Sequence, residues 1–390
     1  MAFAALVNTF GNGLFYTSAA LFYTRSVGLT PGQVGVGLTV AGLLSLLVGI
    51  PAGHLADLRG AREILVALYV VEMLAVSSLV LVHGFRGFVL VSIAYSCADK
   101  AANAVRQGLI ATVLPADQRV PGRAYMRSVT NLGIAGGAAV AGVALAIGTR
   151  EAYVSLVLGD AVTYGLAALV VRRLPRSQPR DVVAPGGMLI ALKDRPYLLV
   201  AVIQGLLGMH YVLLEVAVPL WVDRYTNAPR WSVALVFLVN TAFCVLLQVR
   251  VSRRATDVPS SARATRDGAF LIAASCLVFA LASGRTAAVA VLVLVVAALV
   301  NVAGELLQAS GSWGLGFGLA PEHAQGQYQG LYSTGFAAAG MLGPVVVTMT
   351  AISIGAGGWV ILSAFFVVAG LASVPSASWA ERTRALGALK

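Results

Sequence analysis

About twelve apolar stretches of about twenty residues each fill this chain, and a helix of that length, rising ~1.5 Å per residue, crosses a hydrocarbon layer ~30 Å thick. No other feature constrains the fold as strongly. In a bilayer every backbone polar group must be satisfied within the span, which leaves helices as the economical solution for runs of this length. The spacing predicts spans at Phe3–Tyr23, Val34–Ala56, Ile64–Val82, Gly87–Val113, Ala124–Ile147, Tyr153–Val171, Tyr197–Val222, Trp231–Val249, Gly268–Ala282, Ala287–Ala309, Gln327–Ile352 and Gly357–Val374, numbered 1 to 12 below. Only 11% of residues are charged, against ~25% in a soluble domain. With 390 residues shared among so many spans, no room remains for a soluble catalytic or nucleic-acid-binding domain.

The net charge of +11 is accounted for by topology. Of the 27 Lys and Arg residues, 19 lie in or at the loops after spans 2, 4, 6, 8 and 10 and in the C-terminal tail. The opposite loops hold only Arg25, Arg86, Arg150, Arg224, Arg230 and Arg285. The positive-inside rule then puts both termini in the cytoplasm, and no nucleic-acid partner is expected. The N-terminus lacks the basic region of a cleaved signal, and Asn8, Gly11, Asn12 and Gly13 interrupt its apolar run. It reads as span 1, beginning so near Met1 that a short leader is expected to precede it. Cys97, Cys244 and Cys276 all lie in apolar spans without metal-ligand spacing, and read as small core residues. The preference for Arg over Lys, with abundant Ala and Gly, suggests a GC-rich bacterial coding bias.

The longest polar interruption runs from Arg172 to Arg195 and holds five of the arginines, several prolines and a Gly-Gly pair. It divides the chain into an N-terminal bundle (1–171), a cytoplasmic linker (172–195), a C-terminal bundle (196–376) and a cytoplasmic tail (377–390). Gly187 to Arg195 is expected to form a short helix on the inner membrane surface. The halves echo one another: Pro115, Gly122, Tyr125 and Gly133 around span 5 correspond to Pro321, Gly326, Tyr328 and Gly335 around span 11. Such internal similarity marks duplicated transporter folds.

At the inner end of span 2 the chain reads Gly53-His54-Leu55-Ala56-Asp57-Leu58-Arg59-Gly60-Ala61-Arg62, followed by Leu65. This resembles motif A of the major facilitator superfamily, with Gly53, Leu55, Asp57, Gly60, Arg62 and Leu65 matching and Leu58 and Ala61 departing; Arg59 partly compensates. The resemblance covers the whole chain and implies an all-α membrane fold of 12 transmembrane helices in two pseudo-symmetric six-helix bundles. It also implies that Asp57 meets the N-terminus of span 11 near Gln327 and holds an inner gate shut, with Gly53, Arg59, Gly60 and Arg62 completing that gate. A carboxylate at a helix N-terminus faces about half a positive charge. The bland alternative is a loop staple without a switching role.

A second stretch, Gly304-Glu305, Trp313, Ala320-Pro321 and Tyr328-Gln329-Gly330, is similar to the corresponding region of bacterial drug:proton antiporters of that superfamily. Two features depart from them. Span 5 has Gly133, Gly136, Gly137 and Gly142 but no proline, and Ala104 precedes Gln107-Gly108 where an arginine would stand.

An ionisable side chain near the bilayer centre costs at least ~2.5 kcal/mol and needs a partner, a cavity or a neutral state. Glu72, Asp99, Lys100, Arg106, Asp160, His210, Glu215 and Glu305 lie at such depth. Six of these eight fall on spans 4, 7 and 10, which the resemblance implies line a central cavity together with span 1. The expected proton-coupling residues are Glu305, then Asp99, then Glu215. The expected cavity residues are Asn8, Asn12, Tyr16, Lys100, Asn103, Arg106, Gln204, His210 and Asn301. Asp99, Asn103 and Arg106 share one helical face, as do Asn8 with Asn12 and Asn301 with Glu305. The acids suit a cation and Lys100 with Arg106 an anion. Glu72 and Asp160 read as hydrogen-bonded structural acids or interhelical partners, and Trp221 and Trp359 as membrane-interface anchors.

The expectation is a secondary active transporter of the bacterial plasma membrane, working by alternating access. It would export a small amphipathic compound, a drug or metabolite, in exchange for protons. The proton gradient would be its energy source, with no cofactor and no metal. Membrane lipids would surround it, and it would act as a monomer. The alternative is an uptake permease for a small nutrient. A membrane receptor or enzyme is the remote one, since no H-E-x-x-H pair, nucleophile motif or phosphate loop is present.

Overall fold

The computed structural model describes residues 1–147, 149–174 and 189–388. Twelve helical spans follow one another among the described residues. Seven of them are long and apolar enough to cross a membrane as single helices, and an eighth qualifies if the two halves of span 2 count together. Span 1 is α-helical over Ala2–Leu21 and ends in a π-turn, Phe22–Ser26. Span 2 consists of Pro31–Ser45 and Gly49–Arg59, bent by 46°. The bend has a local cause: Pro51 cannot donate, and its ring excludes the carbonyl of Leu47, so the helix breaks just before it. Spans 3 to 6 are Ala61–Ser78, Phe85–Val113, Ala116–Ile147 and Arg150–Arg172.

In the second half, a short helix Ile190–Lys193 precedes span 7. The part of its expected range from Gly187 to Met188 lies outside the described residues, as does most of the expected linker. Span 7 comprises Arg195–Gly208, His210–Val212, a π-turn Leu213–Ala217 and Val218–Tyr225. Spans 8, 9 and 10 are Trp231–Ser252, Val258–Ala280 and Ala287–Gly318. Span 11 is Gln325–Val347 with a π-turn Thr348–Ile352, and span 12 is Ala356–Ala388.

Helix starts follow from capping chemistry. Thr30 and Gln33 form a reciprocal capping box before Pro31, and Asp257 and Ser260 do the same at span 9. Asp194 caps span 7 through the Tyr197 amide. At the sharpest junction, between spans 2 and 3, Gly60 takes φ +95°, a conformation that side chains disfavour.

Four helices run beyond their apolar stretch, each at the end that the charge count places inside: span 5 from Ala116, span 9 from Val258, span 10 to Gly318 and span 12 to Ala388. Residues 377–388, expected as a tail, thus continue the span 12 helix through Pro375. Hydropathy marks the depth of lipid rather than the length of a helix, so helical turns beyond the lipid escape it.

The chain forms two compact units. One contains Met1–Pro115, Tyr125–Ile190 and Pro321–Ser333; the other contains Ala116–Ala124, Ala191–Ala320 and Thr334–Lys390. The first turns of spans 5 and 11 are therefore each grouped with the opposite half of the sequence. The first unit is cored by Phe22, Leu65, Tyr69, Phe88, Val157 and Tyr164, the second by Leu213, Trp221, Ile272, Phe279, Trp359 and Phe366. Lipid tails provide no hydrophobic drive between helices, so close approach at small residues carries the packing. A Cβ on Gly137 of span 5 would strike the backbone of span 1 at Phe10 and Gly13, and one on Gly205 of span 7 would strike Gly335 of span 11. Trp221 and Trp359 are not interface anchors. Both are fully buried, with ring centroids 5.7 Å apart, and Trp221 Nε1 donates to the Phe279 carbonyl at 2.9 Å. An indole whose N–H finds a carbonyl inside the bundle has no need of the headgroup layer.

Candidate functional site

The motif at the inner end of span 2 makes the most specific contact. Asp57 Oδ1 accepts from the Gly326 amide at 2.9 Å and Oδ2 from the Gln327 amide at 3.1 Å. These are first-turn amides of span 11, which have no partner within their own helix. His54 Nδ1 meets Gln327 Nε2 at 2.7 Å. Glycines permit the approach: a Cβ on Gly53 would collide with the Gly326 carbonyl, and one on Gly330 with that of Gly49. Arg62 ties the start of span 3 to the end of span 6, pairing with Glu63 at 2.8 Å and donating to the Leu174 carbonyl at 2.7 Å. Arg59 is exposed and Gly60 is buried at the turn.

In span 4, Lys100 Nζ lies 3.2 Å from Asp99 Oδ2, a half-exposed pair of neighbours in sequence. Asn103 Oδ1 accepts from Gln107 at 3.1 Å and from Arg106 at 3.4 Å. Arg106 reaches toward span 3, where it acts on Tyr69 and Glu72. It also lines a small cavity with Met1, Ala5, Tyr69, Met126 and Leu174. Asp99 is thus paired with Lys100, while Arg106 stays coupled to Asp99 and Asn103 of its own span and reaches Tyr69 of span 3. In span 1, Asn8 and Asn12 are buried and Tyr16 is exposed. Asn12 Oδ1 accepts from the Tyr164 hydroxyl at 2.9 Å, which in turn meets the Tyr95 hydroxyl at 3.1 Å.

In the second unit Glu305 is 3% exposed and turned to span 8. Its Oε2 accepts from Asn240 Nδ2 at 2.7 Å, and Cys244 Sγ lies 3.6 Å from Oε1. Neither partner was singled out in the sequence, although two small polar groups at i, i+4 on an otherwise apolar span are a usable signal. Cys244 is accordingly a hydrogen-bonding group as well as a packing residue. Asn301 does not accompany Glu305. It is fully buried and donates to Ser275 Oγ of span 9 at 3.2 Å. Gln204 accepts from Gln308 of span 10 at 3.2 Å. His210 Nδ1 lies 2.7 Å from the Leu207 carbonyl, and its ring lies 4.0 Å from that of Tyr211, tilted by 38°. Glu215 is exposed within the π-turn of span 7.

Glu72 and Asp160 are both exposed to 1% or less, and neither has the full hydrogen bonding expected of a structural acid. Glu72 Oε2 and both carboxylate oxygens of Asp160 lack a partner. Among the described residues, no group of three or more His, Cys, Asp or Glu is arranged to hold a metal ion.

No curated protein sequence matches the chain. Solved structures show its fold. A bacterial homologue of the iron transporter ferroportin, in an outward-facing state, superposes with a TM-score of 0.77 at 16% identity, covering 97% of this chain and 98% of that one. The E. coli fucose:proton symporter gives 0.72 at 14% identity, covering 95% and 96%. The human organic anion transporter MFSD10 (TETRAN) gives 0.71 at 14% identity, covering 95% and 97%. The sequence pattern of the Major Facilitator Superfamily matches residues 1–344, and the chain is a membrane-spanning transporter belonging to that superfamily.

Proposed function

We propose that the chain is a proton-coupled exporter of a small amphipathic compound, working by alternating access. One observation carries the coupling. Glu305, sealed at membrane depth, is held by an amide and a thiol that serve either of its charge states. Asn240 donates to the carboxylate, and by rotating its amide it accepts from the acid. A carboxyl in such a setting can gain and lose a proton without dismantling its surroundings. Asp99 and Glu215, both reachable by water, are the further coupling candidates. Asn8, Asn12, Tyr16, Lys100, Asn103, Gln204 and His210 are the candidates for substrate contact. Arg106 and Asn301 act as positioning residues, given their contacts with spans 3 and 9.

The Asp57 contact with span 11 is the latch that alternating access must break. The export direction rests on the likeness of the Gly304–Gly330 region to drug:proton antiporters. The protein acts as a monomer in the bacterial plasma membrane with both termini cytoplasmic, divided at the 172–195 linker, and draws on the proton gradient without a bound cofactor. Uptake is the second reading, favoured by the fold shared with a fucose:proton symporter.

Everted vesicles energised to acidify their interior separate the two readings, with ethidium as the probe. Export predicts ethidium accumulation that collapses with the gradient and is lost in Glu305→Gln. Accumulation only in right-side-out vesicles would reverse the direction, and gradient-independent movement would remove the coupling.

A further inference from the structure

Asp160 stands midway along span 6, fully buried, with neither carboxylate oxygen hydrogen-bonded. It packs against span 1 at Gly11, where a Cβ would collide with Asp160 Oδ1 and Thr163 Oγ1. Glycine is therefore what admits the carboxyl into the contact between spans 1 and 6. The Thr163 hydroxyl lies against the carboxyl and gives its proton to the Asp160 backbone carbonyl at 2.7 Å. It retains lone pairs and can accept.

The ionisable groups that face Asp160 from the packed elements offer no counter-charge. Span 3 presents Glu72 and span 4 presents Asp99, both acids. Spans 1, 4 and 6 present the phenols Tyr16, Tyr23, Tyr95 and Tyr164, and Tyr164 already donates to Asn12. The cations of spans 1 and 4 are engaged elsewhere: Lys100 with Asp99, Arg106 with Tyr69, Asp99 and Glu72, and Arg25 with the Tyr153 hydroxyl at 3.3 Å. A bare carboxylate in this pocket would be a buried charge beside two further acids with no cation paired to it, an arrangement that proteins avoid. The neutral acid has one O–H to give and the Thr163 oxygen to receive it.

We propose that Asp160 is present here as the neutral acid and is a proton-carrying site of the first unit, distinct from Glu305, whose occupancy governs the packing of span 1 on span 6. This rests on the proton-coupled reading of the transporter. When the O–H bond breaks, the proton passes to water and the electron pair stays on the carboxylate. That carboxylate finds donors only if span 1 parts from span 6 and admits water. Span 1 carries Asn8 and Asn12, so proton loss at Asp160 moves groups that would meet substrate.

The test is infrared spectroscopy of the full chain in liposomes, with hydrogen exchange measured on the same samples. A neutral carboxyl shows a carbonyl stretch that a carboxylate lacks. At neutral pH the wild-type spectrum should contain a component that disappears in Asp160→Asn, an isosteric change, and persists in Glu72→Gln. Thr163→Val should shift that component to higher frequency by removing its acceptor, a readout that survives if the Asp160 variant folds poorly. Raising the pH until the component is lost should speed amide exchange in spans 1 and 6 of the wild type and leave Asp160→Asn unchanged. An unchanged spectrum in Asp160→Asn overturns the proposal. So does a component that responds to sodium at fixed pH, which would make this a metal-cation site. So does equal pH-driven opening in the variant. None of these readings requires transport, so a transporter that proves independent of protons in vesicles fails separately from this site.

Discussion

Replacing Asp57 by Asn tests the latch between span 2 and span 11 without changing side-chain size. The carboxylate accepts two first-turn amides, at 2.9 and 3.1 Å. Asparagine retains one acceptor and turns an NH2 group toward the other amide. The variant loses one hydrogen bond to a charged group, about 1.5–3 kcal/mol. It also loses a charge at a helix N-terminus, ~0.3–1 kcal/mol. Part of this is recovered when water reaches the freed amide. A net shift of about 2 kcal/mol in the opening equilibrium corresponds to roughly 30-fold, since each 1.4 kcal/mol is tenfold. Ala324 provides the reporter: it is fully buried in the short turn that precedes span 11. In a background lacking Cys97, Cys244 and Cys276, Ala324→Cys is alkylated by a maleimide only when the contact opens. Asp57→Asn should accelerate that reaction about 30-fold. A control cysteine at Ala290, fully buried in span 10, should react at its original rate. A change below about threefold, under ~0.7 kcal/mol, would refute the reasoning. Equal acceleration at the control would show general loosening of the fold instead.

Two further outcomes follow from other contacts. Asn240→Leu takes the amide donor from Glu305 Oε2 and leaves a buried acceptor unsatisfied, at a cost of about 1–3 kcal/mol; thermal unfolding in detergent should show a lower midpoint, and Glu305→Gln combined with it should restore part of the loss. Asp257→Ala removes the cap of span 9, a loss of about 1 kcal/mol. The Ser260 hydroxyl and amide hold the Asp257 carboxyl below its ordinary range. Its contribution is therefore present above the unfolded value of about 3.9 and fades only as pH falls through the lower folded value, so wild type and variant should converge in stability in acid and differ at neutral pH.

Apolar run length placed all twelve spans, because lipid thickness imposes a length that few other environments do. It was blind to the break before Pro51 and to the π-turns, which alter hydrogen bonding without altering hydropathy. Asp57 was legible because glycine spacing and a carboxylate in a loop specify a contact geometry. Glu305 stood out as a charge at lipid depth, whereas its partners Asn240 and Cys244 did not. Their recognition needs the rotation of span 8 about its axis, and a helix apolar on all sides does not reveal it. The same ambiguity explains Asn301: helical spacing set it beside Glu305, but span 10 is buried on several faces and turns it to Ser275. The sequence offers Asp160 as a hydrogen-bonded acid or an interhelical partner, and its carboxylate oxygens have no hydrogen bond. A sequence shows that a carboxyl is buried but not which way a neighbouring hydroxyl sends its proton.

The π-turns at Phe22–Ser26 and Leu213–Ala217 begin 20 and 18 residues after the helical starts at Ala2 and Arg195. Each holds one residue more than an α-helical turn would need. A third widened turn closes span 11 at Thr348–Ile352, and turns of this kind recur where helices serve a function. Deleting one residue from any of them would restore the regular ladder and change which side chains face the neighbouring helices.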